Sequence, residues 1–242
     1  MEDSFVAFFD ILGFKNLVEN NTHEELFSLY EESIYTSLDM ADNFFDFIYK
    51  PLIPFISDNA VQLKTFVISD SIIFIQNSLT EGGLLYLISY CKVFLSALLS
   101  DGIPLRGAIS HGPISIITNK RGTTIFGLGL TKAYILESIQ QWAGTIVDRD
   151  VFNLLPKTRN TLIVDRLLKN KTNPLIVEYD VPIKEGKIRK EYVLDWTDYN
   201  LIKSQESIRT AFSNHKKDCG RDKVQLMIEN TIDFYKYMKS GN

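Results

Sequence analysis

The chain has 242 residues, 45% of them hydrophobic and 23% charged, with a formal net charge of −4. That length can bury a large core without covalent staples, and the slight acidity gives no global attraction to nucleic acid. The two cysteines, Cys91 and Cys219, share no close-spaced metal motif and read as free thiols of a reducing compartment.

The chain opens MEDSFVAFFD, with acids where a secretory leader would carry basic residues, so a cytoplasmic protein is expected. Residues 5–14, FVAFFDILGF, are rich in aromatic and branched side chains and predict a buried central strand that turns at Gly13. Thr22 and Glu25 fit a capping box. After it, Leu26, Leu29, Tyr30, Ile34, Leu38 and Phe45 follow helical spacing, which predicts one or two helices to about residue 49, stopped by Pro51 and Pro54. Residues 61–68 and 71–75 are two strand-like runs joined at Ser69-Asp70, a tight hairpin with Asp70 near its tip. Residues 82–100 form the most apolar stretch; Lys92 and several polar residues within it favour a buried helix over a membrane span. Asp101-Gly102 ends that helix.

Residues 105–117 read as a strand interrupted by Gly107 and Gly112-Pro113, where another backbone or a ligand approaches closely. Residues 119–122 read as a loop, and Phe126-Gly127-Leu128-Gly129 leads into a helix over 130–141. A short strand follows at 145–147, and Asp148 and Asp150 cap a helical turn at 151–155. Residues 174–181 and 188–195 flank Lys184-Glu185-Gly186-Lys187, a hairpin signature. Two helices close the chain at 204–212 and 221–239, the second with Val224, Met227, Ile228, Ile232, Tyr235 and Met238 on one face. The sequence has no internal repeat and no low-complexity linker.

Asp10 and Asp70 are the informative residues. A carboxylate inside an apolar strand is costly to bury unless something pairs with it. Two such carboxylates side by side repel, and a divalent cation between them removes the conflict. The alternative is that each merely caps a turn.

Four segments resemble the motifs of class III nucleotidyl cyclases, in the same order. FFDILGF, from Phe8, is similar to that family's first metal motif, F-x-D-I-x-G-F, and the Ser69-Asp70 hairpin to its second, usually G-D. LRGAISHG, from Leu105, is similar to the R-x-G-I-x-x-G strand, and IFGLGLTKAYILES, from Ile125, resembles F-G-x-x-V-N-x-A-x-R-x-E. The likeness covers residues 5–147. It implies an α/β fold, an α+β sandwich with a mixed, mostly antiparallel sheet, flanking helices and a ferredoxin-like core. Residues 1–160 would form the catalytic unit, and residues 161–242 a C-terminal hairpin and helices packed on the same domain.

The resemblance also implies chemistry. Two Mg²⁺ or Mn²⁺ ions per site would be held by Asp10, Asp70 and the carbonyl of Ile11, while amides through Gly13 and Phe14 cradle phosphate. The substrate would be a nucleoside triphosphate, cyclised with release of pyrophosphate. The site would be shared in a head-to-tail homodimer, with metals on one protomer and the Lys132 helix from the other; neither nucleic acid nor membrane is an expected partner. Two family positions depart: Thr131 stands where an asparagine orients the ribose, and Ile135 where an arginine stabilises the transition state. Lys132 and Arg106 are the candidates to take over that arginine's role, against a solvated helix lysine and a structural arginine. At the base-selecting places stand Phe66 and Thr124. Neither reads a purine edge by charge, which points toward UTP or CTP and toward the stand-alone pyrimidine cyclases of Pycsar antiphage systems. Tyr134 is either a pocket residue or a core aromatic, and His111 either a site residue or a turn histidine. The alternative function is a degenerate cyclase fold that binds nucleotide or a protein partner without turnover.

Overall fold

Strand β1, Glu2–Ile11, is buried on both faces from Ser4 to Phe9, which is why its sequence is a continuous apolar run and not an alternating one. In the computed structural model, which describes residues 2–44, 46–47, 63–154, 170, 174–197 and 201–240, this strand lies inside an eight-stranded sheet. Its neighbours are β3 (Ser71–Gln76) and β4 (Leu105–Asn119), both antiparallel to it. β2 (Leu63–Ile68) pairs β3 at one edge. On the other side come β6 (Thr145–Val147), β8 (Lys187–Leu194) and β7 (Ile176–Ile183), giving the order β2-β3-β1-β4-β6-β8-β7. Among the described strands, only β4 and β6 run parallel; β5 (Gly122–Phe126) folds back on the outer half of β4. The sequence pattern marks no strand at 122–126; Thr123, Thr124 and Ile125 take one because the far end of β4 offers them a free ladder.

Period-two alternation divides β1 between two cores. Phe5, Ala7, Phe9 and Ile11 belong to the larger one, with Ile72 and Phe74 of β3 and the helix α4, Glu81–Ser100. Almost every α4 side chain from Gly83 to Leu99 is buried. By length and composition α4 could cross a membrane, yet its surface is covered by the sheet, by α3 (Thr36–Phe44) and by the C-terminal helices. Val6 and Phe8 face the other way, into a small cluster with Ile73, Ile75, Ile114 and Ala133 beneath the helix α5, Leu128–Ser138. Asp10 continues that second face.

The helical region after β1 begins with α1 (Phe14–Asn20) and α2 (His23–Leu29), the latter opened by the Thr22/Glu25 capping box. A six-residue π-helix, Tyr30–Tyr35, then joins α2 to α3. The buried residues Leu29, Ile34, Leu38 and Ala41 explain it: the step from Leu29 to Ile34 is five residues, one too many for an α-turn, and the wider turn absorbs it. The expected stops at Pro51 and Pro54, and the proposed boundary near residue 160, lie outside the described residues.

The last third extends the same sheet. The short helix α6 (Asp150–Asn153) follows β6; β8 pairs β6, and the helices α7 (Gln205–Ser213) and α8 (Asp222–Lys239) close the chain. Phe234 of α8 packs edge-on against Trp142 and Tyr179, both centroids at 4.9 Å, which ties the C-terminal helix to the main core. Cys91 and Cys219 are free thiols.

Candidate active site

Asp10 ends the α5 face of β1, opposite Ser71 on one side and Arg106 on the other. The β2–β3 turn has only two residues, Ser69 and Asp70, and it folds over the end of β1. Ile11 donates its backbone N–H to the Asp70 carbonyl at 3.0 Å, which brings the Asp70 carboxyl near enough to Asp10 to raise it. Burial, then the Glu137 carboxylate, push Asp10 up to about 6; Arg106 opposes them and Asp70 adds to them. Two neighbouring acids, one held well above the ordinary carboxyl range, form a site short of positive charge.

Ser69 sits in the left-handed region, φ 55°, where that family's motif usually has glycine. The Tyr30 hydroxyl donates to the Ser69 carbonyl at 2.7 Å. Gly13 begins α1 at φ 81°, and the stem of Lys217 lies 3.2 Å from where a Cβ would stand. Lys217 is itself anchored, donating to the carbonyls of Gly102 at 2.6 Å and Ala211 at 3.1 Å, while Asn21 of the α1–α2 link donates to the His215 carbonyl at 2.8 Å. The segment between α7 and α8 thereby fixes the turn that follows Asp10.

Arg106 is committed to its neighbours. Its Nε pairs with Glu137, its Nη1 donates to the Gln140 carbonyl at 3.2 Å, and its Nη2 lies 3.7 Å from Asp10 Oδ2. Glu137 is buried on the inner face of α5, and burial raises its carboxyl against the pull of Arg106. Helix α5 can lie this close because of its glycines. A Cβ on Gly127 would stand 2.1 Å from the Pro113 carbonyl, and one on Gly129 would stand 3.1 Å from both the Gly112 nitrogen and Val6. Ser110 seals the contact, donating to the Gly129 carbonyl at 2.6 Å.

The other residues singled out in the sequence scatter over α5 and its surroundings. Thr131 is exposed and its hydroxyl bonds back to the Gly127 carbonyl at 3.2 Å. Tyr134 is 55% exposed and sets its ring edge-on to Phe8 at 5.7 Å, which places it on the surface and not in the core. Ile135 is 53% exposed. Lys132 acts electrostatically on His111, whose pKa burial and Lys132 lower; the charges that act on Asp10 are Glu137, Arg106 and Asp70. Phe66 packs on the small cluster under α5, as does Ile125, while the adjacent Thr124 is exposed.

Glu137 and Lys184 belong to the site and were missed. Glu137 stands at the final glutamate of the α5 pattern, and that alignment was the available signal. Lys184 looked like a turn residue; the turn docks its N–H on the Ile139 carbonyl at 2.8 Å, at the end of α5. Burial and Arg106 lower the Lys184 pKa, and Glu137 and Asp10 oppose them, so its charge is felt at the carboxyl cluster.

Among the described residues no group of three or more His, Cys, Asp or Glu side chains is placed to hold a metal ion. The pair Asp10 and Asp70 suits the way Mg²⁺ is bound beside phosphates, through one or two carboxylates with the remaining positions left to substrate oxygens and water. The residues therefore fit a divalent cation that arrives with a phosphorylated ligand.

No family model and no curated protein matches the sequence. Solved structures do match. The catalytic core of a rhodopsin-guanylyl cyclase with converted specificity, in complex with ATPαS, is 11% identical, with a TM-score of 0.51, over 80% of this chain and 96% of that one. The monomeric guanylyl cyclase domain of the RhoGC fusion protein from the aquatic fungus Blastocladiella emersonii is 10% identical, with a TM-score of 0.50, over 80% and 94%. At such identities the likeness is one of fold: this chain has the class III nucleotidyl cyclase fold.

Proposed function

We propose that this protein is a nucleotidyl cyclase that converts a nucleoside triphosphate to its 3′,5′-cyclic nucleotide and pyrophosphate. The observation that carries the reading is that the Asp70 turn is held over the end of β1 by the Ile11 N–H, beside Asp10, with Asp10 pushed up to about 6. Asp10, Asp70 and the Ile11 carbonyl would hold Mg²⁺ or Mn²⁺. When bound, the metal pair supplies Lewis-acid polarisation of the phosphate and lowers the pKa of the 3′-hydroxyl. The 3′-hydroxyl gives its proton to solvent, its oxygen bonds to the α-phosphorus, the bond from that phosphorus to the bridging oxygen breaks, and pyrophosphate leaves with the charge. Arg106 is a positioning residue in this scheme: it neutralises part of the Asp10 charge and is itself aimed by Glu137. The Gly13 and Phe14 amides would meet the phosphates, and Lys184 adds positive charge beside them.

The site is shared between two copies. Lys132 is near enough to His111 in its own protomer to act on it electrostatically, and in the shared site its ammonium would serve a partner's triphosphate. Leu128, Tyr134 and Ile135 on α5 are each about half exposed, as are Phe126 of β5 and Ile117 of β4, apolar side chains that a second copy would cover. Phe66 and Thr124 present no charge to a base, and the substrate preference proposed is UTP or CTP, with antiphage signalling as the setting.

Incubating the protein with each of the four triphosphates and Mn²⁺, and measuring cyclic product and pyrophosphate, tests the reading; no product from any of them rejects it. Lys132→Ala is expected to lower turnover at least tenfold while Mn²⁺ binding persists, and light scattering is expected to show a dimer. One observation favours a second reading, a nucleotide-binding module without turnover: Ile135 brings no charge where that family carries its transition-state arginine, and such a donor is worth on the order of 10²–10³ in rate. Nucleotide binding without product would select it.

A further inference from the structure

Asp70 lies on a two-residue turn, and a turn that short is a poor platform for a metal ligand unless something braces it. One brace is the Ile11 N–H on the Asp70 carbonyl. The preceding peptide is the weak point, because Ser69 holds φ 55°, a conformation non-glycine residues avoid. Its carbonyl is the acceptor of the Tyr30 hydroxyl at 2.7 Å. Tyr30 reaches it from a distant part of the chain, and a local irregularity sets its position. Its ring packs on the main core as the first residue of the π-helix, with Leu29 immediately before it buried in that core. Without the extra residue in that turn, Leu29 and Ile34 could not both face the sheet, and the tyrosine's side of the helix would rotate away from the β2–β3 turn.

We propose that Tyr30 is a positioning residue for the second metal carboxylate: the π-turn aims its hydroxyl at the Ser69 carbonyl and so holds the Asp70 turn against β1. This rests on the reading of Asp10 and Asp70 as a divalent-metal pair. It accounts for two features that reading leaves unexplained, a π-helix next to the site and a strained serine in the turn. Groups that orient a ligating carboxylate typically change metal affinity by 10–100-fold when removed.

The test is Tyr30→Phe, which keeps the ring and its packing and removes only the hydroxyl. Mn²⁺ binding, followed by titration calorimetry or electron paramagnetic resonance, is expected to weaken about tenfold, with the unfolding midpoint moved by no more than about 3 °C. In metal-free protein, amide exchange at Ile11, whose N–H is held by the Asp70 carbonyl, is expected to speed up about tenfold while amides in the middle of β1 keep their protection. Unchanged Mn²⁺ affinity in Tyr30→Phe, in a protein whose Asp70→Asn variant loses Mn²⁺, overturns the proposal and leaves the metal reading standing. If the wild-type protein binds no Mn²⁺, the metal reading fails, and unchanged exchange at Ile11 would then overturn the bracing role as well.

Discussion

Two charged clusters sit in apolar surroundings in this protein, and they are built differently. In the main core Lys92 of α4, fully buried, lies 3.6 Å from Asp195 and donates to the Pro174 carbonyl at 2.8 Å. Asp195 in turn accepts from the N–H and the hydroxyl of Thr197. Among the described residues, a positive and a negative group meet there and are supported by the Pro174 carbonyl and by Thr197. At the end of β1, Asp10, Asp70 and Glu137 confront Arg106, with Lys184 facing them from the β7–β8 turn. The first cluster sets opposite charges against each other and joins α4 to the C-terminal third. The second is left short of positive charge, at a place reached by solvent, and that imbalance is what a bound cation would correct.

The sharpest way to break this comparison is to remove one partner of the core pair. Lys92→Met leaves Asp195 buried and uncompensated, and is expected to cost about 3–5 kcal/mol in urea unfolding. Mn²⁺ affinity of the folded fraction should not change; a parallel loss would mean the two clusters are coupled.

Asp70→Asn addresses the other cluster. Turnover should fall by at least about 10²–10³-fold, on the order of 3–4 kcal/mol in the barrier, with the circular dichroism spectrum retained. Full activity in that variant would rule out the carboxylate pair as a metal site.

A smaller effect has the opposite sign. Because the folded-state pKa of Asp10 is raised to about 6 from 3.8, the folded protein binds more protons than the unfolded chain between those values. Metal-free stability therefore falls as pH rises from about 4 to about 6, and stays low above that. Asp10→Asn is expected to be more stable than the wild type by about 1–3 kcal/mol at pH 7 without metal, and to lose the pH dependence in that window. Apparent Mn²⁺ affinity of the wild type should drop about tenfold per pH unit below 6, since the proton must leave. A flat profile would show that Asp10 does not titrate there.

The smallest effect expected is that of Ile135→Ala. A half-exposed side chain with no polar atom should change protomer stability by less than about 0.5 kcal/mol, measured below the concentration at which copies associate. A larger loss would place Ile135 in a packed contact that the single chain does not contain.

Much of the fold was written locally. The aromatic run of β1, the apolar stretch that became α4, the capping box at Thr22 and the hairpin at Ser69-Asp70 are short-range patterns, and a strand period or a helix cap can be read from neighbouring residues alone. So could the pairing of Asp10 with Asp70, because a carboxylate in an apolar strand announces an unmet requirement wherever it lies. Strand β5 was not legible, since Thr123 and Thr124 become a strand only against the far end of β4. Nor was the role of Glu137, Lys184 or Tyr30. Glu137 looked like one more helix glutamate until α5 was seen to press it onto Arg106; Lys184 looked like a turn residue until the β7–β8 turn docked beside Ile139; Tyr30 looked like one more apolar helix position until a π-turn brought its hydroxyl to Ser69. Composition and periodicity determine which residues leave water and in what local form. Which charges then face one another is decided by contacts between segments far apart in the chain, and no single segment carries that information.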